Sequence, residues 1–240
     1  MRPVEQIARR LLVLQTIADR VALEGVSAEG PGANDDTEAL RFDQTAPLHM
    51  SGAFDECTDR ERDFLMNPSR ATSYGDVPEF TLAGEALEAL LTVCGIGQPT
   101  PPPPQPYAPV GLNRSRLELS GLDSHLAKSF QRLEPEAIAN ARELAELWHW
   151  RALTELDIRV AESAGKAELL SLVREVTKEA VHSGIFSRES ANDFDSPSTS
   201  VSSWSDDELM IFTIASEARL KALNWLCGFG VTWDNVPLDV

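Results

Sequence analysis

The clearest pattern in the chain is a set of apolar residues that recur every three to four positions, which is typical of amphipathic α-helices. At the N-terminus this repeat begins at Val4 and ends before Gly25, and Pro3 suits a first helical turn. The segment is therefore predicted to form a helix with one buried face. Its apolar positions are Val4, Ile7, Ala8, Leu11, Leu12, Ala18 and Val21.

The same repeat predicts further helices, and the residues at their ends support the boundaries. Thr58 can cap the second helix, with Glu61 three residues later in the position of a capping box. Gly95 suits the end of the third helix, and Asp206 and Asp207 complement the positive end of the last one. The predicted segments are approximately 59–66, 78–94, 135–161, 168–182 and 206–227.

Several segments lack this repeat. Residues 26–57 and 183–205 are rich in turn-forming residues and are predicted to be loops, whereas residues 111–134 are ambiguous. Residues 101–104 are consecutive prolines, which exclude a helix and favour polyproline II geometry. We interpret them as a connection between two halves of the chain. The alternative is a ligand for a binding module with an aromatic groove.

The predicted elements indicate a mainly α protein, because no strand pair and no internal repeat is evident. We expect a single helical domain with long loops, a proline-rich connection and little or no β-structure. A length of 240 residues is near the upper end for one domain. The expected parts are an N-terminal half, 1–98, the connection, 99–110, and a C-terminal half, 111–240, in one compact body.

The chain is strongly acidic, with a net charge of −17 and an isoelectric point of about 4.6. Such a surface repels phosphate, so we expect neither nucleic acid nor a membrane as a partner. A basic protein is easier to reconcile with this charge, although acidity can also serve solubility alone. No apolar stretch is long enough to span a bilayer, and the N-terminus does not resemble a signal peptide. We therefore expect a cytoplasmic protein.

The cysteines support a reducing compartment. Their number is odd, and the spacing of Cys57, Cys94 and Cys227 fits neither a zinc site nor a disulfide framework. Cys94 and Cys227 each lie at the apolar end of a predicted helix, so they are predicted to be buried thiols.

Two helices that contain tryptophan are the most informative. The helix around Trp148 has apolar residues on several sides, which is typical of a buried helix. In the last helix Glu217 and Asn224 flank an apolar stripe that is predicted to be buried. We expect Arg151 to pair with Glu217, with an exposed Glu217–Lys221 helix pair as the alternative. The stripe consists of Ile211, Ile214, Ala218, Ala222 and Trp225.

A resemblance to a known family rests on these helices. Residues 144–151, LAELWHWR, residues 222–228, ALNWLCG, and residues 233–239, WDNVPLD, resemble the bacterial family named domain of unknown function 4272. Residues 10–14 and 85–91 also fit, whereas 26–57 and 184–204 have no counterpart. The resemblance implies no activity. It implies a helical domain and a polar cluster formed by His149, Arg151, Glu217, Asn224, Trp233 and Asp234, which suits a core network as readily as an active site.

Motifs for metal or nucleophilic chemistry are weak. Glu146-x-x-His149 and Glu179-x-x-His182 have the spacing of a di-iron carboxylate bundle, but His182 should face solvent and two further glutamates cannot be named. A single metal at His149 stays open, but we expect no metal and no cofactor. There is no Gly-x-Ser-x-Gly motif and no Walker loop.

The absence of a catalytic motif and the strong acidity favour a non-enzymatic protein-binding role. An immunity or accessory protein of a bacterial toxin or secretion locus would fit. The alternatives are an enzyme of unknown reaction with its site at the polar cluster, and a structural subunit of a larger assembly. An open cavity lined by the cluster would favour the enzyme, whereas close packing would favour a core network.

Overall fold

The computed structural model describes residues 1–28, 34–67, 80–107, 128, 135–186, 193–194 and 200–238. These residues form a single helical domain with seven α-helices and no β-sheet, so the mainly α prediction is confirmed. The helices are α1 (Val4–Ala28), α2 (Asn34–Ser51), α3 (Asp59–Met66), α4 (Ala83–Val93), α5 (Pro135–Val160), α6 (Ser163–His182) and α7 (Asp206–Cys227). Three 3₁₀ turns span Ala53–Glu56, Val201–Ser203 and Trp233–Asn235.

Helices α3, α5 and α7 have the predicted boundaries to within one residue, whereas α1 continues past Gly25, its predicted end, to Ala28. The predicted capping box of α3 is present: the Thr58 hydroxyl accepts from the Glu61 N–H at 3.2 Å, and the Glu61 carboxylate accepts from the Thr58 N–H at 2.8 Å. α7 begins with the same arrangement at Ser205 and Glu208, and it ends at Gly228, whose φ of 95° favours glycine. Each cap satisfies backbone groups that the helix itself leaves unpaired.

Helix α2 is a correction, because residues 26–57 were predicted to be a loop. The helix carries Pro47, and the residues it buries are mainly polar, so its sequence lacks an apolar stripe. Gln44 donates to the backbone carbonyl of Asp19 at 3.3 Å, and the Thr45 hydroxyl donates to the carbonyl of Phe42 at 3.1 Å. Leu48 is its main apolar anchor. Gln44 thus bonds α2 to α1, whereas the Thr45 bond lies within α2 itself, and α2 lacks the periodic apolar contacts that a sequence pattern would reveal.

The core has two parts that share α5 and α7. The larger part packs α1, α4 and the C-terminal half of α7 together, with Trp225 buried at its centre. The smaller part is aromatic and surrounds Trp148, which contacts Phe194, Trp204 and Phe212 edge-on or stacked. Helices α5 and α7, the two helices that contain tryptophan, therefore contribute to both parts of the core, as the sequence led us to expect.

The N-terminal part of α7 departs from the predicted stripe. Ile211 and Ile214 were predicted to be buried, but they are 49% and 40% exposed, and Met210 beside them is 55% exposed. The stripe reaches the core only from Ala218 onwards. A helical repeat cannot reveal how far along the helix its neighbours extend, and the other elements cover only one side of its first turns.

The proline-rich segment contacts the helices as far as the structure describes it, to Tyr107. Pro103 and Tyr107 are buried. The Tyr107 N–H donates to the Glu85 carboxylate at 2.8 Å, and Arg219 donates to the Gln105 carbonyl at 3.1 Å. This segment therefore joins α4 to α7. The remainder of the predicted connection, 108–110, and the ambiguous residues 111–127 and 129–134 lie outside the described residues.

Two remaining segments differ in detail from the prediction. α6 begins at Ser163, five residues before the predicted start at Glu168, and the predicted start of α4 at Pro78 lies outside the described residues. In the predicted loop 183–205 the structure describes a 3₁₀ turn and the buried Phe194. Among the described helices, none has the length and apolar character needed to cross a bilayer.

Candidate functional site

The structure separates the predicted polar cluster into several places. Glu217, Trp233 and Asp234 line one pocket, whereas His149, Arg151 and Asn224 each belong to a different hydrogen-bonded group. The predicted cluster is therefore divided among several groups of contacts.

Arg151 is fully buried and binds two acidic side chains. Its Nε and Nη2 donate to the two Asp193 carboxylate oxygens at 2.7 and 2.9 Å, and Nη2 also donates to Glu155 at 3.0 Å. Burial opposes the charge of Arg151, but the hydrogen bonds that it donates to Asp193 and Glu155, together with their negative charges, outweigh burial and raise the pKa of the guanidinium. The predicted pairing of Arg151 with Glu217 is therefore wrong.

His149 links α5 to α7 inside the core. Its Nδ1 lies 3.1 Å from the Ser216 hydroxyl, which itself donates to the Thr213 carbonyl at 2.9 Å. Nδ1 is therefore assigned the hydrogen, because Ser216 has already used its own. Burial lowers the pKa of His149, and the negative charge of Glu217 opposes this only in part. The ring is therefore neutral near pH 7 and hydrogen-bonded inside the core.

Asn224 fastens the C-terminal segment to the two central helices. Its side-chain oxygen accepts from Arg142 Nε at 2.6 Å, and its amide nitrogen donates to the Pro237 carbonyl at 2.8 Å. Arg142 also pairs with Glu146 at 2.9 Å. The two residues of the motif Glu146-x-x-His149 therefore have separate partners: Glu146 pairs with Arg142, and His149 contacts Ser216. His182 of the second motif is exposed, as predicted.

Trp233 lies against two cations. The guanidinium carbon of Arg10 is 3.8 Å from the centroid of the Trp233 ring, and Lys221 Nζ is 5.4 Å from it. Arg10 also forms a buried, bidentate ion pair with Glu61. Neither Arg10 nor Glu61 was among the predicted site residues. The sequence does contain a signal for Arg10: at helical spacing it lies between Ile7 and Leu14 on the apolar side of the first helix, where a charged side chain needs a buried partner.

A pocket of about 210 Å³ lies beside Trp233, and we call it the Trp233 pocket. Among its polar lining residues, Lys221, Glu217 and Asp234 form no hydrogen bond or ion pair with the described part of the chain. Burial, together with the nearby charge of Arg10, lowers the pKa of Lys221, although Asp234 opposes the shift. Besides Trp233, the apolar lining residues are Leu14, Ile17, Phe80, Leu82, Ala83, Ala86 and Ala218.

A second cavity, of about 240 Å³, lies between α4, α5, α7 and the proline-rich segment, and we call it the apolar cavity. None of the predicted site residues lines it, although Ser216, the partner of His149, does. Its aromatic walls are Tyr107, Trp148 and Phe212. No sequence motif marks it, because its lining comes from four separate elements.

The exposed surface of α7 is the third feature. Met210, Ile211 and Ile214 lie within about one quarter of the helix circumference and are all exposed. The acidic first turn of the helix, Asp206 to Glu208, adjoins them. We call these six residues the α7 outer face.

Metal chemistry has no support in the described ranges, where no group of three or more His, Cys, Asp or Glu side chains could hold an ion. Comparisons with protein-family models, with curated proteins and with solved structures find no match to this chain.

Proposed function

We propose that this chain is a non-enzymatic protein-binding protein that contacts its partner through the α7 outer face. The observation that carries the proposal is the exposure of Met210, Ile211 and Ile214 side by side on a helix that is otherwise in the core. Clustered apolar side chains at a surface mark interaction sites more often than single ones do.

The charge around this face favours a basic partner. Asp206, Asp207 and Glu208 are exposed at the start of α7, and the whole chain carries −17. An acidic rim speeds the encounter with a basic protein, while the apolar centre supplies contact area. A basic toxin or nuclease of the same locus would match both features. We accordingly propose an immunity or accessory role in the cytoplasm, and membership of the 4272 family as its evolutionary setting.

Site-specific photocrosslinking tests the proposal. Benzoylphenylalanine is placed at Ile214 and, as the matched control, at Leu172 on α6, which has a similar exposure of 43%. The two variants are co-expressed with the basic proteins encoded beside this chain. We expect one basic protein to crosslink at Ile214 and not at Leu172.

Affinity measurements with that purified partner complete the test. The I214E variant should bind at least about tenfold more weakly than the wild type, because it places a charge within the apolar centre of the contact. The L172E variant should bind as the wild type does. Equal affinities for the wild type and I214E would overturn the proposal, and a crosslink to a second copy of this chain would favour the structural-subunit alternative.

An enzymatic role at the Trp233 pocket is the second candidate, favoured by Lys221. Its amine lines the pocket without an ion pair to the described residues, and burial lowers its pKa. Such lysines can attack carbonyl groups. Reductive methylation with formaldehyde and cyanoborohydride at neutral pH should then modify Lys221 before the exposed Lys166. Slower modification of Lys221 than of Lys166 would exclude an activated amine.

A further inference from the structure

We propose that the apolar cavity binds a small, neutral aromatic molecule of about ten non-hydrogen atoms. The volume sets this size. A dry protein cavity of about 150 Å³ holds a benzene ring, so a cavity of about 240 Å³ has room for a bicyclic ring system. This inference does not depend on partner binding by the α7 outer face.

The walls suit an aromatic ring. Trp148 from α5, Phe212 from α7 and Tyr107 from the proline-rich segment surround the space, and aliphatic side chains such as Leu144 and Leu223 fill the gaps between them. Aromatic rings pack well against each other edge-on or offset. Water in such a space finds few hydrogen-bond partners, so an apolar guest that displaces it gains free energy.

The charge inside the cavity favours a neutral guest. Among the residues that the structure describes, Arg219 is the one charged residue that lines the cavity, and it is buried. Its Nε donates to Glu85 at 2.9 Å and its Nη2 to the Gln105 carbonyl at 3.1 Å, while its guanidinium carbon lies 4.6 Å from the Tyr107 ring centroid. The charge of Arg219 is therefore already balanced. A carboxylate would lose its hydration without gaining an unpaired cation.

One polar group of the guest can be accommodated at the opening. The lining residues Thr100 and Pro102 are exposed, which places the opening at the proline-rich segment. The Thr100 hydroxyl accepts from the Tyr107 hydroxyl at 2.9 Å, and its own hydrogen has no acceptor among the described residues. That hydrogen can be donated to a hydroxyl or carbonyl oxygen of the guest.

The frame of the cavity is stiff. Pro101, Pro102 and Pro103 form one side, and the fixed φ of proline limits their rearrangement. Tyr107 holds the end of the segment against α4 through its N–H and Glu85. A stiff frame keeps the cavity from collapsing and reduces the ordering cost of binding.

Titration with 2-naphthol, followed through the fluorescence of the probe, tests the proposal. We expect saturable binding with one site per chain. The A145F variant fills the cavity from α5, since Ala145 lines it, and should bind at least about tenfold more weakly. A139F is the matched control on the exposed side of the same helix and should bind as the wild type does. Naphthalene-2-carboxylate should bind at least about tenfold more weakly than 2-naphthol.

A measurement on the wild type keeps the test decisive if A145F fails to fold. With 2-naphthol, the methyl NMR signals of Leu144 and Leu223 should shift, while those of Leu169 on α6 should not. Non-saturable binding, unchanged affinity in a folded A145F, stronger binding of the carboxylate, or shifts confined to methyl groups outside the cavity would each overturn the proposal.

Discussion

The guanidinium carbon of Arg10 lies 3.8 Å from the centroid of the Trp233 ring, which joins the first helix to the last 3₁₀ turn. The same guanidinium pairs with Glu61, and Glu61 closes the capping box of α3. One buried arginine therefore holds three elements that are far apart in the chain.

Substitution of Arg10 should be costly. In R10A, Glu61 would keep a buried charge without its partner, and Trp233 would lose the nearer of the two cations beside its ring. We expect the free energy of unfolding to fall by about 3–5 kcal/mol in urea denaturation. R9A is the control, because Arg9 forms an exposed helix pair with Glu5 and should cost less than about 1 kcal/mol. Equal losses for the two variants would contradict the structural role of Arg10.

The fold could be predicted wherever the sequence of a single helix contained both an apolar repeat and residues typical of helix ends. The boundaries of α3, α5 and α7 follow from apolar spacing and end residues that act within a few positions, whereas Gly25 did not end α1. α2 was missed because it lacks an apolar stripe and is bonded to α1 through the Gln44 side chain. Such bonds depend on the neighbouring element, about which the local sequence contains no information.

The site was predictable only in part, for a related reason. Helical spacing placed Glu217 beside the Trp225 helix face correctly, but it could not identify a partner from another segment. Arg151 binds Asp193, which comes from the Ser/Asp-rich region 42 residues away. The exposed Ile211 and Ile214 show the same limit, because periodicity gives the face of a helix and not the extent of its neighbours.

The cysteines should differ in reactivity. Burial raises the pKa of Cys57 and of Cys94 to about 12, whereas Cys227 is only partly buried and its pKa is raised less far. Because the thiolate is the nucleophile, a short pulse of N-ethylmaleimide at pH 7.5 (about one minute) should label Cys227 first. Peptide mass spectrometry measures the order, with the urea-unfolded chain as the control for equal labelling. Labelling of Cys57 as fast as Cys227 would contradict the described burial.

Stability should depend on pH through His149. Burial holds its pKa in the folded state below the ordinary value, so the unfolded chain takes up a proton more readily. Stability from this group is present above about pH 6.5 and is lost as the pH falls below it towards the folded-state pKa. The free energy of unfolding of the wild type should therefore fall more steeply between pH 8 and pH 5.5 than that of H149N.

H182N, at the exposed end of α6, is the matched control and should follow the wild type. Parallel curves for the wild type and H149N would contradict a buried neutral ring.

Asp193 and Glu217 should differ in their effect on stability, because Asp193 pairs with Arg151 and Glu217 does not. In D193A, the guanidinium stays buried with Glu155 alone, and two charge-assisted hydrogen bonds are lost. We expect the free energy of unfolding to fall by about 3 kcal/mol, the lower end for a broken buried pair, because Glu155 still balances the charge. Glu217 makes no hydrogen bond or ion pair with the described residues, so E217A should change the free energy by less than about 0.5 kcal/mol. Urea unfolding of both variants measures the two losses, and a larger loss for E217A than for D193A would contradict the pairing of Arg151 with Asp193.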